Sequence, residues 1–167
     1  NAQQPRNLAA QNSTPLLVHP MPEEYFIGHI GRWQRLLGRK NPKSVIAHLR
    51  GIASEWATNQ TPNVSLIAAA SGVAAQAYVR DHTLIPYEFF CATKNSLADE
   101  GGLNPSTLDK SCNPTSTFHA KLCPECVKND IAKYGFSYWH CRHQIPGRFW
   151  CGAHEESQLR IVTEEKK

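Results

Sequence analysis

Residues 122–154 read LCPECVKNDIAKYGFSYWHCRHQIPGRFWCGAH, and this stretch decides how the chain must fold. Cys123-Pro124-Glu125-Cys126 places two thiols on one tight turn, and Cys151-Gly152-Ala153-His154 returns a second pair after twenty-four residues. Two such pairs meeting from the ends of a loop complete a tetrahedron, so the pattern predicts a closed Cys3His zinc site of Cys123, Cys126, Cys151 and His154. Four protein ligands leave no position for water or substrate, so the ion is expected to fold the region rather than to hydrolyse anything. Cys141 and His143 lie in the same loop and offer a second set with Cys123 and Cys126, although a Cys-Arg-His turn is tighter than a zinc pair normally uses. Cys91 and Cys112 fall outside the knuckle and read as ordinary thiols. Catalysis by Cys141 with His140 or His143 lacks an oxyanion or orienting group.

Working outward, the composition bounds the rest. The 167 residues, 41% hydrophobic and 19% charged, are enough for one domain or two small ones sharing a core. No run approaches the ~18 apolar residues of a membrane span, and the first twenty residues lack the basic and apolar regions of a signal peptide. Thiolates kept free for a metal suit a reducing cytoplasm. Trp139 and Trp150 are expected in the small core of the knuckle, because so short a segment has little else to bury.

Upstream, Phe26, Ile30, Trp33 and Leu37 recur at helical spacing, which predicts a helix over 22–39 with Glu23 and Glu24 in its first turn. Val45, Leu49, Ile52 and Trp56 repeat the pattern behind Asn41-Pro42, a cap and first-turn proline. Ala68 and Gly72, four apart within 65–79, suggest two closely crossing helices of a helix-turn-helix, or equally two core helices joined by a glycine turn. Pro86 and its aromatic neighbours over 81–90 read as a packed connector. The organisation predicted is mainly α: a flexible arm over 1–19, a helical helix-turn-helix-like domain over 20–93, a linker over 94–118, and a small zinc-knuckle domain over 119–167.

Charge is unevenly placed. No acid falls between Glu24 and Glu55, yet Arg32, Arg35, Arg39, Lys40, Lys43 and Arg50 do, in a chain whose net charge is only +4. These six residues are the candidate surface for nucleic acid or an acidic partner, against the plainer reading of a solvated face.

The knuckle resembles the zinc-finger signature of the TniQ family, which includes the TnsD target selectors of transposons. There a CPxC turn is followed by an aromatic stretch, a histidine-glutamine-leucine-proline-like turn and a closing Cys-x-x-His. Here these are Cys123 to Cys126, Tyr138-Trp139, His143-Gln144-Ile145-Pro146-Gly147, and Cys151 to His154. Pro20-Met21-Pro22-Glu23-Glu24 with the later Arg32 is similar to the family's opening turn, acid and helix arginine. Ile67 to Gly72 and Thr83-Leu84-Ile85-Pro86-Tyr87 resemble its helix-turn-helix and following motif. The likeness covers about residues 20–154, with Tyr25-Phe26 standing where the family usually has serine-leucine. It implies a non-enzymatic accessory protein of transposition. Such a protein connects a target, DNA or an RNA-guided complex on DNA, to a AAA+ ATPase regulator of the TnsC type, with a homodimer as an allowed assembly. A free-standing zinc-stabilised transcriptional regulator is the alternative. A zinc hydrolase is disfavoured by the closed ligand set and the lack of HExxH.

Overall fold

The structure is a computed structural model that describes residues 17–55, 57–93 and 119–162. The sequence readings of residues 1–16, of Trp56 and of the 94–118 linker lie outside the described residues, as does Cys112; so does the side chain of Cys91.

The first half is helical. α1 (Phe26–Leu36) turns Phe26, His29, Ile30 and Trp33 inward. α2 (Pro42–Ile52) begins where the sequence says it must. Asn41 accepts from the Ser44 backbone N–H, the Ser44 hydroxyl faces the Asn41 N–H, and Pro42 fills a first-turn position that needs no donor. α3 (Asn63–Ala70) and α4 (Ala75–His82) are joined through Gly72, whose φ of +68° is one that L side chains rarely adopt. The two helices expected within 65–79 are therefore present, each reaching beyond that window. α5 (Ile85–Thr93) was expected only as a connector. The proline that argued against a helix sits in its first turn, where a missing N–H costs nothing, and Thr83 Oγ1 accepts from the Ile85 N–H. Val18, Phe26, Ile30, Trp33, Val45, Leu49, Val64, Ile67, Tyr78 and Ile85 form one core.

Two expectations about the start of this region are corrected. Residues 17–19 do not belong to a flexible arm: Val18 is buried, its carbonyl accepts from His29 Nε2, and the His19 carbonyl accepts from Arg32. Glu23 and Glu24 do not lie in the first turn of α1, which contains no acid. They form a turn ahead of it, in which the Glu24 N–H reaches the Met21 carbonyl.

The second half is built around short elements. β1 (Lys121–Leu122) pairs antiparallel with β2 (Arg160–Ile161), α6 (Pro124–Tyr134) follows directly, and α7 (Cys141–Gln144) is a single turn. α6 has Pro124 in its first turn and ends on Gly135 in the left-handed region. Gln144 is buried and acts as a spare piece of backbone. Its Oε1 accepts from the Lys121 N–H at 2.9 Å, while its Nε2 donates to the carbonyls of Lys121 and His140. Satisfying these backbone groups away from water is what allows so small a unit to close.

The two halves meet along a backbone bridge. Tyr25 N donates to the Trp139 carbonyl, Cys141 N donates to the Glu23 carbonyl, and Glu24 pairs antiparallel with His140. Arg142 adds an ion pair to Glu23, and the Cys141 thiol donates to the Thr83 carbonyl. Gly28 lies under Trp139, so a Cβ there would sit 3.4 Å from the Trp139 Cβ.

Candidate metal centre

The CPxC turn runs into the N-terminus of α6. Cys123 is its N-cap and Cys126 lies one turn in, which aims both sulfurs to the same side. The opposite pair comes from the loop between α7 and β2, held by Cys151 N donating to the Ser157 carbonyl and Ser157 N to the His154 carbonyl. As a result the ligand atoms of Cys123, Cys126, Cys151 and His154 all lie within 4.8 Å of one another.

The distances fit a tetrahedral ion. Bonds of about 2.3 Å to sulfur and 2.0–2.1 Å to nitrogen space the ligands about 3.8 Å apart between sulfurs and about 3.6 Å from sulfur to nitrogen. Cys126 Sγ lies 3.7 Å from Cys151 Sγ. His154 Nδ1 lies 3.6, 3.4 and 3.6 Å from the sulfurs of Cys123, Cys126 and Cys151. Burial first, and then the neighbouring Cys151, push the Cys126 thiol up to about 12, whereas at Cys123 hydrogen bonds led by Ser157 outweigh burial and draw the thiol down to about 6.

Surrounding groups orient the donors. Ser157 Oγ stands 3.1 Å from Cys123 Sγ, and the Ala153 N–H points at Cys151 Sγ. With Nδ1 on a metal, His154 carries its proton on Nε2; Asn129 Nδ2 lies 3.3 Å away, and the side-chain amide accepts that proton only with its oxygen and nitrogen exchanged. His143 is buried with Nε2 at 3.6 Å from Cys126 Sγ and 3.5 Å from Cys151 Sγ. It is not among the four donors that converge, and with its proton on Nε2 it faces the sulfurs of Cys126 and Cys151 as a donor. Cys141, the other member of the alternative set, points away and joins the knuckle to the helical half. Sequence reasoning passed over Asp130, which is buried and accepts from His140 Nε2 at 2.9 Å. His140 in turn stacks on Tyr138 at 4.4 Å between ring centroids and faces His143 at 5.0 Å. An isolated aspartate on a helix carries no sequence signal for such a partner.

The aromatic expectation is half corrected. Trp139 is half-buried against Gly28, but Trp150 is 55% exposed. The interior is supplied instead by the cysteines, Leu159 and the Tyr138–His140–His143 stack, so the hairpin need not bury Trp150.

Of the six candidate cations, Arg32 and Arg50 are engaged within the molecule. Arg32 is held inside the molecule, forked onto the buried Glu24 carboxylate at 2.8 and 2.7 Å and onto the His19 carbonyl. It braces the junction and is not free for a partner. Arg50 is engaged too, by the Thr58 and Thr61 carbonyls and Asn63. Arg39 rests on His48, while Arg35 lines a hollow between α1 and the knuckle. Lys43 stands on the side of α2 opposite the buried Val45. Arg35, Lys40 and Lys43 make no side-chain hydrogen bond or ion pair among the described residues.

A helix-turn-helix-like unit docked on a Cys3His cluster able to hold a metal ion is the architecture of this chain. The model of the TniQ family matches residues 15–157, which runs through both halves. The chain belongs to the TniQ family and is a transposition-associated protein. Neither a curated protein nor a solved structure matches it significantly. No helix among the described residues is long and apolar enough to cross a membrane.

Proposed function

We propose that this protein selects the insertion site of a transposon, linking a DNA-bound targeting module to a AAA+ regulator of the TnsC type and performing no chemistry of its own. The observation that carries the reading is the family match over residues 15–157, which takes in the helix-turn-helix-like unit and the Cys3His knuckle together. The targeting module is either a DNA sequence or an RNA-guided complex sitting on DNA. The ion is zinc, because three thiolates and an imidazole in a tetrahedron are the ligands zinc favours. Four protein donors fill that tetrahedron, which supports a structural role over a hydrolytic one.

The test is retention of the AAA+ regulator of the same transposon on the immobilised protein, with ATP, with and without the element's target DNA or guide complex. The reading expects the regulator to be retained, and more strongly with the target present. Tight binding to a defined DNA operator, with no regulator retained under any condition, would replace it with a free-standing transcriptional regulator.

A further inference from the structure

An apolar groove of about 220 Å³ opens among α1, α2 and α3. Trp33, Leu49 and Leu66 are buried in its lining, and Leu17, Ile52 and Ala69 stand exposed around its mouth. Cavities of about 150 Å³ already take a benzene-sized group, so this one has room for a large aliphatic side chain. Its polar features are few and of one kind. The Trp33 indole N–H is buried and finds no acceptor among the described residues. His48 lies at the edge with the Arg39 guanidinium 2.8 Å from its Nδ1, and Lys40 follows Arg39 in the chain. Among the described residues no carboxylate lines the groove, and the acid nearest in sequence is the exposed Glu55 just beyond α2. Arg35, Arg39, Lys40 and Lys43 stand exposed and no acid lies between Glu24 and Glu55, so this face presents positive charge to an approaching partner.

We propose that this groove docks an acidic amphipathic helix of a protein partner. Apolar anchors at i, i+3 or i+4 enter over Leu49 and Leu66, and carboxylates on the flanks meet Arg39, His48 and Lys40. A phosphate backbone offers no apolar anchor for such a floor, which sets the groove apart from a nucleic-acid surface. The inference holds whether or not the partner is the AAA+ regulator.

The test uses the full zinc-loaded chain and two synthetic amphipathic peptides of the same leucine pattern, one with glutamate and one with lysine on the polar face. The readout is the indole N–H resonance of Trp33 in a ¹⁵N-labelled sample, assigned with Trp33→Phe. The glutamate peptide should shift that resonance saturably and the lysine peptide should not. Arg39→Glu should weaken binding about threefold to fivefold. Ala69→Trp, which places a large side chain over the mouth from an exposed position, should weaken it about tenfold or more. Both variants should keep the zinc content and far-UV circular dichroism of the parent. No shift with the glutamate peptide, or equal binding of the lysine peptide, overturns the proposal. A Trp33 shift produced by a DNA duplex, or by raising the protein concentration alone, assigns the groove to nucleic acid or to a second copy and overturns it as well.

Discussion

Replacing Arg32 by alanine isolates the contact on which the junction of the two halves rests. The guanidinium donates to both oxygens of Glu24 and to the His19 carbonyl, and the Glu24 side chain is wholly buried. After the change, the donor left to this carboxylate is the Met21 N–H at 2.9 Å. Removing one partner of a buried pair typically destabilises by about 3–5 kcal/mol, because the remaining charge is both desolvated and unpaired. For a chain of this size that corresponds to a fall in Tm of roughly 6–20 °C. The control is Arg35→Ala, three residues further along α1 and exposed, which should stay within about ±0.5 kcal/mol. Urea unfolding of zinc-saturated protein gives both values. The double variant Glu24→Gln/Arg32→Met should lose less than the sum of its single changes, since neither side is then left charged and buried. A cost below about 1 kcal/mol for Arg32→Ala, comparable to the exposed control, would refute the assignment and return Arg32 to the partner surface.

Three other outcomes follow from the same geometry. Cys123→Ser and Cys151→Ser should each unfold residues 119–162 while Cys91→Ser and Cys112→Ser are mild, as read from amide spectra with and without a chelator. His143→Ala should keep the metal but weaken its affinity by about 10–100-fold in competition with a chromogenic chelator, because it removes a donor to two sulfurs and no ligand. His29 is held neutral, with Nε2 donating to the Val18 carbonyl and Nδ1 accepting from the Tyr78 hydroxyl, and burial lowers its pKa to about 3. Between about 3 and the ordinary 6.5 the unfolded chain binds the extra proton, so this histidine's contribution to stability is present above 6.5 and is lost as pH falls. His29→Gln should flatten the stability curve in that window by up to about 1.4 kcal/mol per pH unit relative to the parent.

The parts of this molecule that were legible in the sequence are those set by local rules. The CPxC turn, the Asn41-Pro42 cap and the positive-φ Gly72 each act within a few residues, and the helix starts and the convergent ligands follow from them. What was not legible depends on chain segments far apart. Glu24 looked like a first-turn acid, because nothing nearby reveals that residues 139–141 return to pair with 23–25 and bury it. Arg32 and Arg50 counted as ridge cations for the same reason, since their acceptors come from other turns of the chain. Pro86 hid α5, because a proline one residue into a helix and one inside a loop look alike until the preceding Thr83 is seen to accept from Ile85 N. Trp150 was placed inside on size alone, and the histidine stack that fills the knuckle in its stead has no periodic signature.

The metal centre is the claim on which the organisation of the second half depends, and X-ray absorption at the zinc edge tests it most directly, on protein purified without added metal. The expected result is one zinc per chain with three sulfurs at about 2.3 Å and one nitrogen at about 2.0 Å, falling to two sulfurs in Cys151→Ser if that variant retains the ion. No bound zinc, or a shell of two sulfurs and two nitrogens in the unmodified chain, would contradict it, the latter by making His143 a ligand in place of a cysteine.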